Sequence, residues 1–324
     1  KANAYGHGLL RVEQSLPDAD AFGIVTPEEG IILREAGIDR RIVLLEGMFS
    51  PDDISLINAY RLDTVIHHDS QIGMLEQATL SRPHDVWLKL DTGMNRLGFR
   101  PEAASQAVAR LRVIEGVAGL RFMTHFAQAD EVDNPATAAQ QALFEGALEA
   151  LPGERTLANS AALLAWPGTQ ADWVRPGIML YGASPLPGKD AGALDLQPVM
   201  TLKSRLIAVK DCRKGDTVGY GGDWECPVDM AVGVVAIGYG DGYPRHDGSG
   251  TPVLVNGRRA DLVGRISMDM ICVDLRGHDR AAVGYDVVLW GDGLPVEEIA
   301  SGAGTISYEL LSGISGRVMV DYSD

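Results

Sequence analysis

Polar and charged side chains stand at the ends of several short apolar runs in this chain: Lys1 in "KANAYGHG", His67 in "DTVIHH", Lys89 and Asp91 in "VWLKLDTG", His125 in "LRFMTHFA", and Asn159 and Ser160 in "RTLANS". Arg175 stands in "DWVRPGIMLYG", next to Pro176 and Gly177. In an extended run, alternation puts Trp87, Lys89 and Asp91 on one face and Val86, Leu88 and Leu90 on the other. A lysine inside such a run is costly unless it is paired or loses its charge. It is therefore either ion-paired, with Asp91 or another carboxylate, or chemically poised or modified. Gly177 allows a ligand close to the backbone beside Arg175, where exposed N–H groups can cradle an anion. Ser160 opens a helical stretch, as a simple N-cap or as a second anion-binding hydroxyl. A lysine able to form a Schiff base, two phosphate cradles and a group for a ring nitrogen are the requirements of pyridoxal 5′-phosphate.

These residues need a scaffold that brings strand ends together. The first ~200 residues alternate apolar runs with helical patterns, the signature of a parallel βα array. Seven strands are expected, at 21–25, 42–47, 63–68, 86–93, 120–127, 155–160 and 177–182. Helix starts are marked by Thr26-Pro27 with Glu29, by Ser50-Pro51 and by Asn134-Pro135. A TIM-type (β/α)8 barrel has eight strands and keeps its chemistry at their C-terminal ends. The expectation is such a barrel over 1–196, with its first strand missing ahead of Lys1 and Lys1 at that strand's C-terminal end. From about Gln197 the runs at 200–212, 230–240, 251–264 and 270–275 are short, alternating and rich in Val and Ile. With the hairpin signal Asn256-Gly257, they predict a mostly β domain over 197–324.

Composition narrows the possible partners. Of 324 residues, 28 are Lys or Arg and 44 are Asp or Glu, a formal net charge of −16. That charge repels nucleic acid and an anionic membrane surface. No apolar run approaches the ~20 residues of a membrane-spanning helix. Three cysteines without C-x-x-C spacing suit reduced thiols in a cytoplasmic protein, and no cluster has metal-ligand spacing.

Taken together, "KANAYGHG", "LDTGMNRLG", "THFAQADE", "ANSAALLAWP", "DWVRPGIMLYG", "VGYGG", "GYGDGYPR", "VGRISMDM" and "SYEL" resemble the bacterial alanine racemases, those of Gram-negative bacteria most closely. The resemblance spans the chain and implies a homodimer with shared active sites. Lys1 would carry pyridoxal 5′-phosphate. Tyr5, Ser160, the backbone at Gly177 and Ile178, and Tyr308 would bind its phosphate, and Arg175 would face its ring nitrogen. Arg96 and Met268 would contact the substrate carboxylate, and Tyr239 would line the entrance. Tyr220 of the partner subunit would be the second base opposite Lys1. Lys89, carbamylated in several relatives, would orient Arg96; His125 and Asp269 would support the site. The activity implied is interconversion of L- and D-alanine, for peptidoglycan synthesis or for L-alanine degradation.

Lysine and tyrosine have reference pKa values of ~10.4 and ~10, so both bases need cationic neighbours; Arg175 and His125 are the candidates. A guanidinium at the ring nitrogen donates without protonating it, which weakens the electron sink and limits transamination. Tyr220, Tyr308 and Met268 would crowd the substrate side chain. Size discrimination of about 1–3 kcal/mol per methylene leaves slow turnover of serine open. Three other readings remain: a racemase of broader specificity, a related barrel decarboxylase for basic amino acids, and a non-enzymatic cofactor-binding protein. Arg175 and the tyrosine of "VGYGG" argue against the second, and the presence of the β domain against the third.

Overall fold

The computed structural model describes residues 1–246 and 248–323. It divides into two compact units. The first comprises Lys1–Gly177 with Pro185–Pro187, and the second Ile178–Ser184 with Gly188–Asp324.

The first unit is built on a six-stranded sheet in the order β1 (Ala21–Ile24), β2 (Arg41–Leu44), β3 (Asp63–Ile66), β4 (His84–Lys89), β5 (Val117–Met123) and β6 (Arg155–Thr156). Every neighbouring pair is parallel and consecutive. Parallel neighbours need a crossover, and helices at Pro27–Glu35, Asp53–Tyr60, Asp69–Gln77, Ala104–Leu111 and Ala136–Ala147 supply it. This is a TIM-like parallel βα half-barrel, the barrel class expected from the sequence, with six of the seven expected strands.

The caps show why these helices start where they do. Thr26 accepts from the Glu29 N–H at 3.4 Å, with Pro27 in the first turn, as expected. Ser50 is not a cap: the Asp53 carboxylate turns back to accept from the N–H groups of Phe49 and Ser50 at 2.7 and 3.0 Å, so the helix begins at Asp53. His68 does not extend β3 but accepts from the Ser70 N–H at 3.2 Å and caps the helix Asp69–Gln77.

The expected strand at 177–182 is absent. Ile178–Tyr181 forms a 3-10 turn that ends at Gly182, where φ is +72°. Proline 176 offers no N–H to a ladder. The segment beside β6 is instead the one just before it: Trp173 N–H donates to Arg155 at 3.1 Å and Arg175 N–H to Ala158 at 2.9 Å. At the other edge, the Lys1 backbone nitrogen donates to the Gly23 carbonyl in β1 at 3.2 Å. Lys1 and Arg175 thus flank opposite edges of the same sheet.

Alternation sorts one sheet face into layers. Arg41, Asp63, Asp85 and Arg121 form an ionic layer toward the strand N-termini. Val43, Val65, Trp87 and Met123 form an apolar cluster above it. Lys89 ends β4 beyond that cluster. The other face carries Ile24, Leu44, Ile66, Leu88 and Phe122, all fully buried.

The second unit is a closed antiparallel barrel. Its strands run in the order β10 (Met230–Val235), β13 (Ile271–Asp274), β12 (Arg258–Val263), β11 (Pro252–Val255), β14 (Asp286–Trp290) and β7 (Leu202–Cys212). Asn256 and Gly257, with φ of +48° and +75°, make the two-residue turn between β11 and β12. β14 was not anticipated from the sequence; it ends in Trp290, which stacks on Tyr243 at 6.0 Å in the core. A separate ribbon, β8 (Thr217–Val218) with β9 (Trp224–Glu225), carries the turn Tyr220–Gly222. No helix among the described residues is long and apolar enough to cross a membrane.

Candidate active site

The C-terminal ends of β4 and β5 and the segment at Arg175 gather positive charge. Lys89 is 8% exposed. Burial, then the charges of Arg175 and Arg96, push its amine down to about 8, with Asp91 opposing. Asp91 is not its ion-pair partner. That carboxylate accepts from the N–H groups of Gly93 and Asn95 at 3.1 and 3.0 Å, and so shapes the loop that carries Arg96. Lys89, Asp91, Met94, Arg96 and His125 line a small cleft.

Arg175 donates to Thr156 Oγ1 at 2.6 Å and to the carbonyls of Thr124 and Leu157 at 2.7 and 3.0 Å. Burial lowers it to about 10, so it is a cation at neutral pH. It also meets His125 Nδ1 at 3.5 Å. His125 is pushed down to about 3 by burial first and then by Arg175, Lys89, Arg96 and Lys1. It is therefore neutral and does not serve as a cationic neighbour for a base, contrary to expectation. With Arg175 donating to Nδ1, the ring proton sits on Nε2.

Sequence reasoning missed the residues beneath. Thr92 and Thr124 share a hydrogen bond at 2.8 Å. Buried Gln140, from the helix Ala136–Ala147, donates to the His125 carbonyl at 3.1 Å and accepts from Ala127 N–H at 2.9 Å. The available signal was polar residues on the buried stripe of an amphipathic helix.

Lys1 leads into an unusual turn. Ala2, Asn3, Ala4 and Tyr5 all have left-handed φ, at 50°, 49°, 53° and 53°. Each such residue costs roughly 1–2 kcal/mol. The turn is held by Gly6 N–H on the Ala2 carbonyl at 3.1 Å and by Leu9 N–H on Asn3 Oδ1 at 2.9 Å. His7 Nδ1 lies 2.9 Å from the Tyr5 carbonyl. The Lys1 amine lies 5.8 Å from the Tyr5 ring centroid. Burial raises the Tyr5 pKa, so its hydroxyl remains a donor.

Tyr5, Ser160 and Gly177 converge. Gly177 N–H donates to Ser160 Oγ at 2.8 Å. A Cβ at Gly177 would lie 2.7 Å from Tyr5 Oη and 3.8 Å from Ser160 Oγ. Ser160 is not the cap of its helix; Asn159 is, accepting from Ala162 N–H at 3.0 Å, which leaves the serine hydroxyl to face Gly177. Two hydroxyls and a bare backbone therefore form a cradle that a side chain would fill. With Lys1 beside Tyr5, and with Arg175 and Arg96 supplying positive charge, this donor set fits pyridoxal 5′-phosphate.

The other expected site residues lie in the second unit. Ile178 follows Gly177 directly and is buried. Tyr220 is 72% exposed on its turn, and the Arg265 guanidinium, paired with Asp223, packs beside Gly221. Tyr239 and Met268 are brought together, because Tyr239 N–H donates to the Ser267 carbonyl at 3.1 Å and Gly240 N–H to that of Met268 at 2.9 Å. Arg317 clamps this corner, donating to Asp241 and Asp269 at 2.6 Å each. Tyr308 sits on the short helix Ser307–Ser312. Among the described residues, no three His, Cys, Asp or Glu side chains are grouped to hold a metal ion.

Known proteins resemble this chain in sequence and fold. Residues 1–185 match the family model "Alanine racemase, N-terminal domain", and residues 199–322 match "Alanine racemase, C-terminal domain". The alanine racemase of Shewanella sediminis is 52% identical over 99% of this chain and 90% of its own. That of Vibrio cholerae is 51% identical with the same coverage. The crystal structure of the biosynthetic alanine racemase from Pseudomonas aeruginosa superposes with a TM-score of 0.97 at 47% identity, covering 100% of this chain and 90% of that one. On the strength of both halves and of this identity, the chain belongs to the alanine racemase family.

Proposed function

We propose that this enzyme interconverts L- and D-alanine, with pyridoxal 5′-phosphate bound by Lys1, Tyr5, Ser160, Arg175, Gly177, Ile178 and Tyr308. The observation that carries the reading is the cradle of Tyr5, Ser160 and Gly177 beside an amine and a cluster of cations. When bound, the cofactor supplies an electron-accepting ring that stabilises negative charge at the substrate Cα.

The chain's own residues do the rest. Arg175, held by three oxygen acceptors, presents a fixed positive charge to the ring nitrogen. Neutral His125 leaves that charge unopposed. Arg96 takes the substrate carboxylate, assisted by Met268 of the partner subunit, and a carbamylated Lys89 would orient it. The Lys89 amine is half neutral near pH 8, the form that adds carbon dioxide. Lys1 Nζ holds and moves the α-proton on one face, and Tyr220 Oη of the partner subunit does so on the other. Tyr239 lines the entrance, and Asp269 supports it through Arg317. The active form is a cytoplasmic homodimer, and likeness to a biosynthetic enzyme favours D-alanine supply to peptidoglycan.

The test is incubation of the holoenzyme with L-alanine, L-serine, L-lysine and L-ornithine, following D-isomers and carbon dioxide. D-alanine should dominate. Carbon dioxide release without D-alanine overturns the reading.

A further inference from the structure

Cys212 ends β7, and Cys226 directly follows β9. Between them a tight turn reverses the chain: Asp216 N–H donates to the Arg213 carbonyl at 3.0 Å, and Arg213 N–H to Asp216 Oδ2 at 2.7 Å. Cys226 is then locked opposite that turn, its N–H on the Asp216 carbonyl at 2.8 Å and its carbonyl accepting from Gly215 at 2.9 Å. The two thiols are close enough to act on each other: after burial, Cys212 is the next cause that pushes the Cys226 thiol up. Both belong to one apolar cluster with Val218, Met230 and Val263; Cys226 is fully buried and Cys212 half-buried. The segment they bracket, 213–225, is the ribbon that presents Tyr220, whose turn contains the left-handed glycines 219, 221 and 222.

We propose that Cys212 and Cys226 are a redox modification site, a thiol pair that hydrogen peroxide converts to a disulfide closing the base of the Tyr220 loop. The partly accessible Cys212 thiolate attacks one peroxide oxygen, breaking the O–O bond, and becomes a sulfenic acid; the released hydroxide takes up a proton to form water. Cys226 sulfur then attacks Cys212 sulfur. The S–S bond forms, the S–O bond breaks, and the Cys226 proton leaves with the hydroxyl as a second water. Two thiols are oxidised while one peroxide is reduced to two waters, and a dithiol reductant reverses the change. Bonded sulfurs lie about 2.05 Å apart, well inside the packing distance of two unbonded sulfurs. Closure draws the two ends of the loop together and displaces Tyr220. A displacement on that scale is expected to slow racemisation by about tenfold or more.

The effect on rate rests on the proposed role of Tyr220; the cross-link does not. The holoenzyme is treated with peroxide, then digested without reduction and mapped by mass spectrometry, with racemisation assayed in parallel. The expected result is a Cys212–Cys226 linked peptide with the loss of two hydrogens, and a rate loss restored by dithiothreitol. Cys272→Ala should behave the same, and Cys212→Ser should keep its rate under peroxide. Oxygen addition at any cysteine without the linked peptide overturns the proposal; a linked peptide at unchanged rate upholds the cross-link and overturns its effect on Tyr220. An enzyme inactive before peroxide would sink the racemase reading, while the peptide map would still report on the pair.

Discussion

The two ends of the β1–β6 sheet both concentrate arginine, yet they are built oppositely. Toward the strand N-termini, Arg41 bridges Asp63 and Asp85, and Arg121 bridges Asp85 and Glu154. The guanidinium of Arg121 also lies 5.2 and 5.7 Å from the Trp87 and Trp173 rings. Burial opposes ionisation of Asp85, but hydrogen bonds from Arg121 and Arg41 outweigh it and hold its pKa down. Toward the C-termini, Lys89, Arg96 and Arg175 surround a neutral histidine, and the nearby Asp91 is occupied by loop N–H groups. The apolar cluster of Val43, Val65, Trp87 and Met123 lies between the two ends. In a chain of net charge −16, the surplus of cations at one end is a local construction. Paired charges make that end a structural plug; uncompensated ones leave a field for an anionic ligand.

Substitutions at the two ends should therefore separate activity from stability. Lys1→Ala should lower racemisation by about a thousandfold or more, the scale of a lost acid–base group, with an unchanged circular dichroism spectrum. Retention of most activity would remove Lys1 from the mechanism. Gly177→Ala places a Cβ 2.7 Å from Tyr5 Oη. Overpacking of about 1–3 kcal/mol should weaken pyridoxal 5′-phosphate binding by roughly tenfold to a hundredfold, read by titrating the apoenzyme. Gly168→Ala, where an added Cβ meets nothing within 4 Å, is the control.

At the opposite end the order reverses. Arg121→Met strips Asp85 and Glu154 of a partner and should cost about 3 kcal/mol in urea unfolding, with kcat nearly unchanged. A matching loss of kcat would show that the ends are coupled. The smallest effect is a slope. His125 binds its proton near pH 3 when folded and near 6.5 when unfolded. The unfolded chain therefore takes up a proton first, and stability falls as pH drops below 6.5. The loss is about 1.4 kcal/mol per pH unit until the folded value is reached. His125→Asn should flatten urea midpoints between pH 6.5 and 5; an unchanged slope would mean that His125 is not held neutral.

Much of this was readable from residue order. The βα alternation, the β-rich second half and the Asn256-Gly257 turn are local, because periods of 3.6 and 2 are written in neighbouring side chains. The motifs named the family, and alternation placed Lys89 on the face of Trp87. The segment 177–182 misled because its apolar run resembles a strand, whereas Pro176 and the positive φ of Gly182 set its conformation. Ser50 misled because the Asp53 carboxylate folds back onto the N–H groups of Phe49 and Ser50 and the helix starts later, and the choice left open at Ser160 was settled by its neighbour Asn159, whose side chain took the cap.

What sequence alone determined is which residues are present and in what register they meet the sheet. Tertiary structure decided their chemistry. Only folding brings Tyr5, Ser160 and Gly177 together from three distant stretches, turns Asp91 away from Lys89, and makes His125 neutral by burying it among four cations. The reason is that charge state depends on desolvation and on the sum of neighbouring fields, which residue order does not contain.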